Sequence, residues 1–181
     1  MKFGKWLKKQ IEQSPEEWQE KFLCYKELKR CVKAVPSGRP PTSEEEAGFV
    51  GPLHAEIEKI NSFFLEQEEE YVIHYREQLD AIQRMVARQA APQHEAEAIA
   101  VWREILNFHG EMLLLLNYCN INYIGLLKIL KKYNKRTGAG LLLLPAIATL
   151  REHPFFRTDT VSNMVQECET MLEVLSDGLP E

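Results

Sequence analysis

Residues 53–95 read LHAEIEKINSFFLEQEEEYVIHYREQLDAIQRMVARQAAPQHE, and the spacing of their apolar side chains decides the class of fold. Leu53, Ile57, Ile60, Phe64, Tyr71, Tyr75, Leu79, Ile82 and Val86 recur at mixed spacings of three and four, which places them on one stripe of a long helix. Glu66 to Glu70 then lies mostly on a solvated face. Ala90-Ala91-Pro92 breaks this helix, and a second long one starts near Glu95 and carries Trp102, Ile105, Leu106, Met112, Leu113, Leu116, Ile124 and Leu127. Two long helices joined by so short a connection form an antiparallel hairpin.

On the amino-terminal side, Pro36 to Pro52 holds proline, glycine and the run Glu44-Glu45-Glu46, too polar to offset its own ordering entropy, so it reads as a mobile loop. Before it, Ser14-Pro15-Glu16-Glu17 has the order of a helix start, serine at the cap and proline at the first helical position, and predicts a helix running to about Val35. Met1 to Glu12 is a short amphipathic piece. On the carboxyl-terminal side, Thr137-Gly138-Ala139-Gly140 ends the second long helix. Two shorter helices follow, about Leu141 to Arg151 and Thr160 to Leu175, separated by His153-Pro154. No stretch alternates as a strand does. The expectation is an all-α bundle: two long antiparallel helices, an amino-terminal helical hairpin and two short carboxyl-terminal helices, forming one domain over residues 1–175 with a tail at 176–181.

The chain has 22 Lys+Arg against 27 Asp+Glu, a net charge of -5, which argues against a general nucleic-acid binder. That mean conceals a local reversal. From Ile121 to Arg151 there is no acidic residue, while Lys128, Lys131, Lys132, Lys135, Arg136 and Arg151 are all basic, so an anion is the natural partner of this segment. Acid is concentrated elsewhere, at Glu44 to Glu46 and Glu66 to Glu70, where it would suit a basic protein surface. Cys24, Cys31, Cys119 and Cys168 show no C-x-x-C pairing and read as reduced, buried thiols of an intracellular protein. Met1 to Gln10 has no signal-peptide apolar run, and the uncharged stretch Thr137 to Leu150 is too short to span a bilayer.

Lys128, Lys131, Lys132 and Lys135 fall within about 100° of arc on a helical wheel, with Leu126, Leu130 and Tyr133 near the opposite side. The helix can bury one side and project ammonium groups from the other. Lysines also suit a helix carboxyl terminus, whose dipole favours cations, so the pattern fits a solvated helix end as well as an anion site. Tyr25 and Lys29, spaced i, i+4, share a face on which a phenol donor and an ammonium can flank one phosphate. Spacing alone does not bring Lys132 to that pair. Lys2, Lys5, Lys8 and Lys9 add positive charge at the start.

Several blocks together resemble one family: Met1 to Leu7 (MKFGKWL), Pro15 to Lys29 (PEEWQEKFLCYKELK), Glu56 to Phe64 through Glu70, Asn107 to Met112 (NFHGEM), Asn122 to Gly138 (NYIGLLKILKKYNKRTG) and Pro154-Phe155-Phe156. In number and order these are similar to the SPX domain family. The resemblance implies a phosphate-status sensor that binds inositol hexakisphosphate or an inositol pyrophosphate. Tyr25, Lys29 and Lys132 match its phosphate-binding cluster, Lys128, Lys131 and Lys135 the adjoining lysine surface, and Lys2 an amino-terminal contact. Leu141-Leu142-Leu143-Leu144 is more uniformly aliphatic than the family pattern. Because the chain ends shortly after the domain, it resembles the stand-alone plant members, which implies ligand-dependent repression of a phosphate-starvation transcription factor with a MYB-type domain and a coiled coil, in nucleus and cytoplasm.

Neither a catalytic motif, a metal-ligand set nor a cofactor motif is present, and a lone His109 inside an apolar helix reads as core-facing rather than catalytic. Direct contact with nucleic acid and stable membrane association are not expected. A membrane-surface module that binds phosphoinositides through Lys2 to Lys9 and the lysine stripe is the alternative. The Gly138-Ala139-Gly140 connection would let the last helices pack on their own chain or exchange within a homodimer.

Overall fold

The computed structural model describes residues 2–138 and 143–178, and among them there are helices and no strand. Six α-helices follow one another: α1 (Phe3–Glu12), α2 (Tyr25–Ala34), α3 (Ser43–Ala87), α4 (His94–Thr137), α5 (Leu143–Leu150) and α6 (Asp159–Asp177). Short 3-10 turns at Glu16–Lys21 and Pro154–Phe156 complete the order. The long α3 and α4 are the two expected from periodicity. The glycine end of α4 is seen at Gly138, whose φ of 70° is left-handed and whose amide donates to the Asn134 carbonyl at 3.0 Å. Ala139 to Leu142, and with them the start of the aliphatic run, lie outside the described residues, as do Leu179 to Glu181 of the expected tail.

The chain divides into two compact units, Met1–Leu65 with Asn117–Arg157, and Glu66–Leu116 with Thr158–Glu181. In the first, Tyr118 of α4 is the hub. Its ring meets those of Phe22, Phe63 and Trp18 edge-on at 4.8, 5.0 and 6.1 Å, and its hydroxyl donates to the Lys21 carbonyl at 2.7 Å. One turn on, fully buried Asn122 accepts from the Leu23 amide at 2.7 Å and donates to the Tyr118 carbonyl at 2.8 Å. These bonds correct the single helix expected from Ser14 to Val35. The peptide groups of residues 21 and 23 are captured by α4, so the chain makes a 3-10 turn, straightens at Phe22 to Cys24 and begins α2 at Tyr25. Ser14 is not its cap: its hydroxyl bonds back to the Gln10 carbonyl at 2.9 Å.

The loop expected at 36–52 is also shorter than read, because α3 starts at Ser43. Thr42 and Glu45 form a capping box, with the Glu45 amide donating to Thr42 Oγ1 at 3.2 Å and the Thr42 amide to Glu45 Oε2 at 2.8 Å. Arg39 pairs with Glu45 at 2.9 Å, and these bonds hold the Glu45 carboxyl below its ordinary range. Glu44 to Glu46 thus occupy the first turn, where the helix dipole favours acid, and α3 runs on through Pro52. The added turns bury Phe49, which stacks on Tyr133 at 4.2 Å.

Beside that stack lies an apolar cavity of about 230 Å³, lined in part by Leu53, Ile57, Leu130 and Leu150. The Tyr133 hydroxyl is buried without a partner among the described residues. No group among the described residues takes its hydrogen bond, so Tyr133→Phe, which keeps the ring stack, is expected to change stability by no more than about 1 kcal/mol. The urea midpoint reads this, and a clear loss of stability contradicts it.

In the second unit, α3 and α4 run antiparallel, with the Tyr71 hydroxyl donating to the Glu111 carbonyl and Gln78 to the Glu104 carbonyl, both at 3.3 Å. Helix α6 lies antiparallel to α4: Trp102 Nε1 donates to Ser176 Oγ at 3.1 Å, and His109 Nε2 lies 2.9 Å from Glu169. His109 therefore faces α6 at the edge of the unit, while Phe108 takes the core position, which corrects the expected core-facing histidine. The Tyr75 hydroxyl bonds Glu167, and burial together with that carboxylate pushes its phenol up to about 12. Val86, Leu106 and Leu113, counted in the apolar spacing of the two long helices, are 57, 43 and 45% exposed. Cys119 and Cys168 are buried as expected, but Cys24 is exposed and Cys31 half-buried.

Candidate functional site

Every residue of the lysine constellation belongs to the first unit. Leu126, Leu130 and Tyr133 are buried, so α4 turns Lys128, Lys131, Lys132 and Lys135 outward, all exposed. Helix α2 buries Leu28 and Val32 and presents Lys29 and Lys33 from its other side. The two helix ends are locked by Arg136. Its guanidinium donates to the Val35 carbonyl and, at 2.9 Å, to the Lys33 carbonyl, while its own carbonyl accepts from the Gly38 amide at 3.1 Å.

The result is a cleft of about 330 Å³ lined by Lys29, Lys33, Lys132, Lys135 and Arg136 with Val32 and Ser37. Lys29 also borders a second cleft of about 600 Å³, where Lys2, Lys5, Lys8, Tyr25 and Lys26 share the lining with the carboxylate of Glu12 and the apolar Leu7, Ile11 and Leu23. Lys132 and Tyr25 are thus on neighbouring clefts that share Lys29. Aromatic rings set the spacing between them: Phe3 meets Tyr25 edge-on at 4.9 Å, Lys29 Nζ is 5.6 Å from the Tyr25 ring centre, and Lys128 Nζ is 5.9 Å from that of Phe3. Lys128 and Lys131 are exposed but line neither cleft. Gly125 lets α4 approach this corner closely, since a Cβ there would sit 2.7 Å from Leu23 Cδ2 and 3.7 Å from Phe3.

Among the described residues no carboxylate lies within ion-pair distance of Lys2, Lys29, Lys128, Lys131, Lys132 or Lys135, whereas Lys8 has Glu12 at 3.9 Å. Convergent ammonium groups without an internal counter-charge attract an external anion. Burial raises the Tyr25 phenol, so its hydroxyl stays protonated at neutral pH as a donor. Lys33 is not among the expected site residues, although its position four residues after Lys29 signals a shared face. The clamp made by Arg136 on carbonyls about a hundred residues away leaves no mark in local spacing, where the residue reads only as a cation.

Residues 1–47 and 93–143 match the model of the SPX domain family. Among known proteins, this chain is similar to SPX domain-containing protein 6 of Oryza sativa subsp. japonica, with 56% identity over 95% of this chain and 69% of that protein. SPX domain-containing protein 3 of Arabidopsis thaliana is 48% identical over 97% of this chain and 69% of its own length. A solved structure, the SPX domain of Chaetomium thermophilum glycerophosphodiester phosphodiesterase 1 in complex with inositol hexakisphosphate, superimposes with a TM-score of 0.76 at 25% identity, covering 97% of this chain and 99% of that one. The fold, the order of its motifs and these likenesses agree: the chain belongs to the SPX domain family.

Proposed function

We propose that this chain is a regulatory binding module that takes an inositol polyphosphate or pyrophosphate onto the paired lysine clefts of α1, α2 and α4, and so reports phosphate status. The observation that supports it most is the convergence of Lys29 and Lys33 with Lys132 and Lys135 on one cleft without a neutralising carboxylate. The related SPX domain solved with inositol hexakisphosphate supports the class of ligand. Phosphates at fixed positions on one ring engage several ammoniums together, each charge-assisted bond contributing about 1.5–3 kcal/mol. Orthophosphate fills one corner only. Titration calorimetry in low salt is expected to give inositol hexakisphosphate an affinity at least about 100-fold above orthophosphate, and equal affinities would refute the reading.

The occupied clefts then present outer phosphates to a basic partner, which couples partner binding to ligand. The partner in this reading is a phosphate-starvation transcription factor with a MYB-type domain and a coiled coil, repressed when ligand is bound, in nucleus and cytoplasm. Pull-down of that class of factor with and without an inositol pyrophosphate tests it, and capture that ignores the ligand refutes the coupling.

A further inference from the structure

The second unit has the opposite charge from the first. Glu66–Leu116 with Thr158–Glu181 holds sixteen Asp+Glu against four Arg and no Lys, a net charge of -12, whereas the first unit holds eighteen Lys+Arg against eleven Asp+Glu, a net charge of +7. Within the second unit one face of α4 is apolar and uncovered. Leu106, Gly110 and Leu113 are spaced i, i+4 and i+7 and so line up over about 10 Å. Leu106 and Leu113 are 43 and 45% exposed, and a Cβ at Gly110 would meet nothing within 4 Å. The core face of the same helix is already filled, with Ile105, Phe108 and Met112 buried to within 1%. Leu106 and Leu113 therefore leave nearly half of their surface uncovered among the described residues.

Acid borders this stripe. His109, adjacent to Gly110, reaches Glu169 of α6, and Glu173 follows one turn along the same side of α6, both exposed. Arg103 is the one Lys or Arg of α4 between residues 103 and 116. We propose that the Leu106–Gly110–Leu113 face of α4 is a docking surface for a basic amphipathic helix of a partner protein, with leucine-type anchors on one side and Lys or Arg around them. An i, i+4, i+7 row with a glycine gap is the surface that a helix lays its apolar face into. The charge of -12 selects a cationic partner and steers its approach. A second copy docking face to face would bring two such fields together, and an acidic bilayer would meet the same repulsion. The inference stands apart from the polyanion reading, because the first unit supplies none of these residues.

The test uses the whole chain without any inositol phosphate. The probe is a fluorescent synthetic helix of about 18 residues, long enough to hold helix, with leucine on one face and lysine elsewhere, read by anisotropy in low salt. The wild-type chain is expected to bind it, and Leu106→Ser/Leu113→Ser and Glu173→Lys each to weaken it at least about tenfold, with unchanged circular dichroism. Lys132→Ala is expected to leave it unaltered. A leucine-free peptide of equal charge that binds as well, or Leu106→Ser/Leu113→Ser binding like the parent, reduces the effect to bulk charge and overturns the proposal. So does a dimer of the chain alone, seen by sedimentation and abolished by Leu106→Ser/Leu113→Ser, or flotation with neutral phospholipid vesicles that the same variant abolishes.

Discussion

Lys132→Ala is expected to lower the affinity for inositol hexakisphosphate about 10- to 100-fold while leaving the melting temperature within about 1 °C. The first figure follows from one charge-assisted hydrogen bond of about 1.5–3 kcal/mol lost from a multipoint clasp. The second follows from exposure: Lys132 projects from α4 away from the buried Leu130 and Tyr133 and makes no ion pair among the described residues. Removing one of several crowded like charges relieves a few tenths of a kcal/mol of repulsion. Lys132→Glu brings an anion into the same cleft and goes further, to loss of measurable binding at physiological salt. Lys131→Ala, whose ammonium lines neither cleft, is expected to have a smaller effect. Calorimetry on the three variants checks the order, and Lys132→Ala with parental affinity would remove the clefts from the account of ligand binding.

Asn122→Ala is expected to destabilise the chain by about 2–4 kcal/mol. Asn122 is fully buried, and both ends of its amide are used, the oxygen by the Leu23 amide and the nitrogen by the Tyr118 carbonyl. Truncation orphans the Leu23 amide, itself buried, and leaves a void where the side chain stood. For a chain of this size the melting temperature should fall by about 5–15 °C. Ligand affinity should fall as well, because Leu23 stands two residues before Tyr25 and positions the start of α2. Urea unfolding of the Asn122→Ala chain measures the first effect, and parental stability would mean that α4 does not hold the connector.

What periodicity could and could not reveal follows from where each element gets its stability. Helices α3 and α4 each bury a continuous stripe, so their apolar spacing is visible locally, and the lysine arc of α4 could be placed on a wheel for the same reason. The break between the 3-10 turn and α2 could not, because nothing in Trp18 to Tyr25 opposes a helix. It is imposed by Tyr118 and Asn122 from far along the chain. The start of α3 is legible in Thr42 and Glu45, which have the spacing of a capping box, while the proline and glycine before them read only as loop. Leu106 and Leu113 obey the same three-and-four rule as the core and yet face out, which spacing cannot distinguish from burial.

The bonds by which α4 holds the amino-terminal segment all span great distances in sequence: Leu23 to Asn122 is 99 residues, Lys21 to Tyr118 is 97, Val35 to Arg136 is 101 and Lys33 to Arg136 is 103. On the ribosome the first helices therefore emerge long before the partner that completes them. They wait with Trp18 and Phe22 unsheltered until roughly a hundred further residues have been made, and closing so large a loop is slow. For this chain the stretch written first is completed late, and a nascent product cut short before Tyr118 has the lysines of its first helices but neither those of α4 nor the groups that hold the two against one another.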